Sequence, residues 1–109
     1  MVMLPTNSLM RRWIDARFAE YGVSPKVALE TSSMHSACRI AVRMGLIAIV
    51  DAFTAHGING KGYVIRPLEP TLEFALGFVL PSDRLVNELT SDLMQCVEIA
   101  SEDLLKAIN

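Results

Sequence analysis

The chain has 109 residues, 51% of them hydrophobic and 20% charged, with a formal net charge of -2. That length holds one domain or less with a single modest core, and the apolar share argues against disorder. The slight acidic excess is not the basic surplus of a nucleic-acid-binding domain, and the longest apolar runs, Met44–Val50 and Phe74–Leu80, fall far short of the roughly 20 residues that cross a bilayer.

Asp15 and Arg17 break the region that follows Arg11 and Arg12, so no secretion signal is read there. The two cysteines, Cys38 and Cys96, form no CxxC pair; each reads as a buried thiol rather than a disulfide or metal ligand. The expected location is the cytoplasm.

Met1–Leu4 is apolar, ends at Pro5, and reads as a short strand at the very first residue. A domain seldom starts without a few disposable residues, so the expectation is an abrupt beginning. Asn7 or Ser8 can cap a first helix over about Ser8 to Tyr21, with Leu9, Met10, Trp13, Ile14, Phe18 and Tyr21 at helical spacing. Gly22 suits its left-handed stop. Arg11 and Arg12 read as charges on a solvated helix face rather than as a phosphate site.

After Ser24-Pro25, Lys26–Glu30 alternates as a strand with Val27 and Leu29 on one side. A second helix is predicted over Met34 to Met44, with Met34, Ala37, Cys38, Ala41 and Val42 on one face, stopped at Gly45. Leu46–Val50 has no polar residue, the pattern of a strand covered on both faces. Ala52–His56 reads as a short helical turn, followed by a loop with Gly57, Gly60 and Gly62. Tyr63–Arg66 and Leu72–Leu80 read as further strands, separated by the stiff Pro67-Leu68-Glu69-Pro70 segment.

The clearest periodicity lies at the end of the chain. Val86, Leu89, Leu93, Val97, Ala100, Leu104 and Ile108 recur three or four apart and predict a helix over Ser82 to Ile108, about 40 Å long. The whole order predicts an α/β class with a mostly parallel sheet.

Between the second strand and second helix lie Thr31, Ser32 and Ser33. Three hydroxyls and the free N–H groups of a helix start would meet there, at the carboxyl end of a strand, where α/β sheets bind ligands. Serine and threonine are also the preferred helix caps, and local sequence alone favours capping without a ligand. If the strands are parallel, Asp51 closes the next strand at the same end, and it too reads first as a cap of Ala52–Thr54.

Catalytic patterns are missing. The sequence has no GxSxG, HExxH or GxxxxGK[ST]. His35 near Ser33 and Cys38 has neither an orienting group nor an oxyanion site implied by spacing. His56 has no partners for a metal. No enzyme, metal or cofactor is expected.

The segments LPTNSLMRRWIDARFAEYGVSP, ETSSMHSACRIAV, IAIVDAFTA and VIRPLEP, in that order and spacing, resemble the effector-binding region of LysR-type transcriptional regulators. Within that family they are most similar to the branch that senses amino acids and opines. The resemblance implies the two-lobed fold of type 2 periplasmic binding proteins, with the effector in the cleft between lobes. Residues 1–70 would be the second lobe; residues 71–109 would supply a crossover strand and a long helix belonging to the first. It implies a truncated regulator without helix-turn-helix, linker helix or most of the first lobe, and so no direct nucleic-acid contact by this chain.

The resemblance reverses the local weighting at the hydroxyl turn. Thr31, Ser32 and Ser33 become the effector-binding residues, joined by Asp51 and Phe53, with a small-molecule amino acid or opine as partner. Family members dimerise through this region, so a homo-oligomer is the second expected partner. The alternative is a remnant or interaction module acting through the apolar face of the last helix. One departure stands out: the family usually has Gly-Leu-Gly where this chain has Met44-Gly45-Leu46, so the turn after the second helix is expected to be altered.

Overall fold

A computed structural model describes residues 1–108. The chain forms two compact units, Met1–Val64 and a second beginning at Ile65.

The first unit is built on a small parallel sheet. Strand β1 is Val2–Met3 and strand β2 is Leu29–Glu30, paired Val2 to Leu29 and Met3 to Glu30. Val2 also makes a parallel bridge to Ala48. The hydrogen bonds say which edge each neighbour occupies. The carbonyls of Met1 and Met3 accept from Ala28 and Thr31 N–H, whereas the Val2 N–H donates to the Ile47 carbonyl. Successive residues of a strand turn these groups to opposite edges, so β1 is central, with β2 on one side and the 46–50 segment on the other. All three run parallel.

Each of the three is followed by a helix: α1, Leu9–Glu20; α2, Met34–Met44; and α3, Ala52–His56. Ser33 caps α2 by accepting from the Ser36 N–H at 3.3 Å, and Gly45 ends it at φ 66°. These bounds are the predicted ones, because cap and stop are both local chemistry. Among the described residues no non-glycine has positive φ. Met44 and Leu46 therefore take ordinary backbone, and the left-handed position falls on Gly45 itself.

The core centres on Val2, 1% exposed, packed with Ala37 and Ala41 and bordered by Ile40, Leu46 and Ala48. Ala37 and Ala41 share one face of α2, and their small side chains let the helix lie close on β1. Helix α1 contributes Ile14. The rest of its predicted stripe is less covered: Leu9, Trp13 and Tyr21 are exposed.

Several expectations are corrected. The strand read at Lys26–Glu30 shortens to Leu29–Glu30. The strand read at Leu46–Val50 reduces to the Ala48 bridge, and Ile47 is 67% exposed, so this segment is not covered on both faces. Arg11 is buried, not solvated. Cys38 is buried as expected, but Cys96 is exposed.

In the second unit, helix α4 is Glu88–Ile108. It starts six residues later than the periodicity suggested. Asn87 takes the cap position, its Oδ1 accepting from the Thr90 N–H at 2.7 Å and its carbonyl from the Ser91 N–H. Among the described residues neither Tyr63–Arg66 nor Leu72–Leu80 forms a strand. Strand propensity is expressed only against a neighbour, and no segment pairs with either run. The Tyr63 hydroxyl instead donates to the Ile58 carbonyl and closes the glycine loop. Helix α4 buries none of its described side chains; Leu89 is 78% exposed and Leu93 64%.

Candidate functional site

Parallel strands put every strand-to-helix turn at the same edge. The loop after β1 leads to α1, Thr31–Ser33 leads to α2, and Asp51 leads to α3. Three helix starts therefore face one rim, the carboxyl edge of the sheet. The chain passes from β1 outward to β2, then back across β1 to the 46–50 segment. Two right-handed crossovers in opposite directions send α1 and α2 to opposite faces of the sheet. That reversal makes the boundary between β1 and the 46–50 segment a switch point, the place where open α/β sheets bind ligands.

Each helix start is capped from within the chain. Ser8 accepts from the Arg11 N–H, Ser33 from the Ser36 N–H, and Asp51 from the Thr54 N–H at 2.8 Å. Asp51 also accepts from the Thr54 hydroxyl. The capping role is thus real for Ser33 and Asp51. It does not use them up, since a carboxylate has about four acceptor sites and a serine hydroxyl keeps its donor proton.

Thr31 is half-buried, and its N–H donates to the Met3 carbonyl at 3.0 Å. Ser32 is exposed, and among the described residues its hydroxyl makes no hydrogen bond. Ser33 is exposed at the start of α2. Asp51 and Phe53 are half-buried at the start of α3. Thr31 and Asp51 follow segments that flank β1 on either side, which sets them about 10 Å apart laterally at a strand spacing of about 4.8 Å. Helices α2 and α3 pack together. The Cys38 thiol pKa is raised, chiefly by burial and further by the Asp51 charge.

One residue at this rim escaped the sequence reading. Arg11, 7% exposed, donates from Nε to both carboxylate oxygens of Asp15 and from one terminal nitrogen to the Leu4 carbonyl at 2.7 Å and Glu30 Oε1 at 2.9 Å. The Glu30 hydrogen bond holds its already high pKa higher still, against the opposing effect of burial. Arginine at the first turn of an amphipathic helix gives no signal of burial. Only the Asp15 at i+4 was visible, and that pairing is common on wet faces.

Among the described residues no group of three or more His, Cys, Asp or Glu could hold a metal ion. Among the described residues no helix is long and apolar enough to cross a membrane.

The family model of the LysR substrate binding domain matches residues 1–100. This chain belongs to that family, an α/β class of periplasmic-binding-protein-like fold found in transcriptional regulators rather than a class of enzymes. It is similar to the regulatory protein NocR of Agrobacterium tumefaciens strain T37 and to the regulatory protein NocR of Agrobacterium fabrum strain C58. Each is 28% identical over 102 residues, covering 90% of this chain and 34% of the relative. The chain spans about a third of the length of the curated relatives it matches. No solved structure gives a significant match.

Proposed function

We propose that this chain is effector-binding sequence of a LysR-type transcriptional regulator, that the first unit corresponds to the second lobe of that domain, and that the effector is an amino acid or an opine. In this reading the strand-prone segment after residue 70 and helix α4 correspond to parts of the first lobe. The observation that carries the proposal is the hydroxyl turn. Three adjacent hydroxyl residues lie at the carboxyl rim of a parallel sheet, the Thr31 and Ser32 hydroxyls making no hydrogen bond among the described residues, inside the stretch that matches the family.

The effector's carboxylate would meet the Ser32 and Ser33 hydroxyls and the amides that open α2, where charge and donors favour an anion. Asp51, about 10 Å across the rim by strand spacing, would take an ammonium or guanidinium group. An arginine-length ligand fits that span. Phe53, next along α3, would pack on the ligand's alkyl chain. One lobe encloses only part of a ligand, so affinity for this chain is about millimolar or weaker.

Titration calorimetry with arginine, ornithine and their N-carboxyalkyl opine derivatives tests this. The expected result is weak heat that Ser32→Ala and Ser33→Ala reduce. No heat from any of these compounds, or heat in both variants equal to that of the wild type, refutes the ligand role.

A second reading is favoured by one observation, the exposed Leu89, Leu93 and Val97 along α4. Such a face marks an association surface, and this chain would then act as an interaction module. Sedimentation over a range of concentrations decides it; a monomer at the highest concentration rules it out.

A further inference from the structure

We infer that Arg11 is the positioning residue of the hydroxyl turn: its guanidinium fixes where Thr31, Ser32 and Ser33 stand relative to the central strand. The purpose of that role rests on the ligand reading above; its geometry does not.

Strand β2 is only two residues long, and its last residue, Glu30, is bonded directly to Thr31. Beyond the ladder itself the turn is tied to β1 by one backbone hydrogen bond, from the Thr31 N–H to the Met3 carbonyl. Among the described residues, the only side-chain tie from this corner to the rest of the unit is Arg11 on Glu30. The same terminal nitrogen holds the Leu4 carbonyl, where β1 ends, and Nε holds Asp15 on α1. One planar group therefore links the ends of both strands to the first helix.

Burying a guanidinium is unfavourable unless its donors are matched, and here they are matched by Asp15 on its own helix, by the Leu4 carbonyl just after β1 and by Glu30 of β2. A guanidinium offers donors at fixed angles, so it sets the angle between those elements as well as their distance. Lysine keeps the charge but offers a compact ammonium on a flexible stem, and it cannot reproduce the fork. Arg12, the next residue, is exposed, so the burial of Arg11 is specific to its position.

A merely structural role and a positioning role differ in where loosening appears. Amide hydrogen exchange of the full 109-residue chain reads this directly. In Arg11→Lys the Thr31, Ser36 and Ala37 amides, whose acceptors are Met3, the Ser33 side chain and the Ser33 carbonyl, should exchange roughly tenfold faster, as local opening does. The Leu46 amide, bonded to the Ala41 carbonyl at the other end of α2, should change less than about twofold. Glu30→Gln removes the charged acceptor and should give the same pattern more weakly; it carries the test if Arg11→Lys loses its helical circular dichroism.

An unchanged Thr31 amide, or a uniform rise that includes Leu46, overturns the inference. Calorimetry on the same proteins separates the two proposals. If the local pattern is seen but wild type gives no heat with any candidate, Arg11 still positions the turn and the effector reading is the one that fails. If wild type binds and Arg11→Lys binds equally well, with the Thr31 amide unmoved, the inference about Arg11 fails alone.

Discussion

The Thr31 amide donates to the Met3 carbonyl at 3.0 Å, one residue beyond the last paired position of β2. This bond carries the ladder into the hydroxyl turn, so the three hydroxyl residues start from the edge of the central strand rather than from a free loop. It also means that stability and ligand binding can be separated among them.

Ser33 caps α2 and Ser32 does not. Ser33→Ala should therefore cost about 1 kcal/mol of unfolding free energy, the usual loss of a serine cap. Ser32→Ala should stay within about 0.5 kcal/mol, as exposed positions without special contacts do. Urea denaturation of both variants checks this. Equal losses would mean that the cap assignment is wrong.

Gly45 stands at φ 66°, and a Cβ added there meets nothing within 4 Å. The cost of Gly45→Ala is then backbone strain alone, about 1 kcal/mol. Ala41→Gly, one turn earlier on the buried face, should cost about as much through helix propensity, with further loss from the methyl it removes from the core. A neutral Gly45→Ala in thermal or urea unfolding would show that the left-handed stop is not formed in solution.

Asp51 accepts from both the backbone N–H and the hydroxyl of Thr54. Asp51→Ala should lose about 1 kcal/mol, whereas Asp51→Asn, still an effective cap, should lose only a few tenths. The charge matters for the ligand instead. If an effector cation pairs with Asp51, Asp51→Asn weakens binding at nearly unchanged stability, a combination that calorimetry and urea unfolding detect together.

Cys38 is buried and its thiol pKa is raised by that burial and by Asp51. The native state then holds the thiol proton more tightly than the unfolded chain does. The stability from this group is fully present below the ordinary thiol pKa and falls as pH climbs from about 8.5 towards the raised native value. Cys38→Ala should flatten that part of the stability profile. In the wild type, alkylation at pH 8 should modify the exposed Cys96 quickly and Cys38 only slowly, as mass spectrometry of the digested protein would show.

What could be read in advance was local. The bounds of α2 followed from Ser33 and Gly45, and α3 from Asp51, because caps and stops are set by residues a few positions apart. The parallel arrangement followed from the alternation of strand and helix. The strands themselves were overestimated, since Leu46–Val50 meets β1 only at the Ala48 bridge, and Tyr63–Arg66 and Leu72–Leu80 have strand-forming residues but lack the partner that a ladder needs. The proposal for the hydroxyl turn rests on the family motifs. Arg11 stayed hidden, because its burial depends on Glu30, nineteen positions away, and on a carbonyl that no pattern marks.

The middle strand of the sheet precedes both of its neighbours in the sequence, and it cannot pair until they exist. Val2 meets Leu29 and Ala48, 27 and 46 positions further along. Both closures are non-local, so helix α1 can form early while the core waits. During synthesis β1 can therefore meet β2 first and gains its second neighbour only once Ala48 has left the ribosome. In refolding, the rate should follow the closing of that longer loop rather than the formation of any helix.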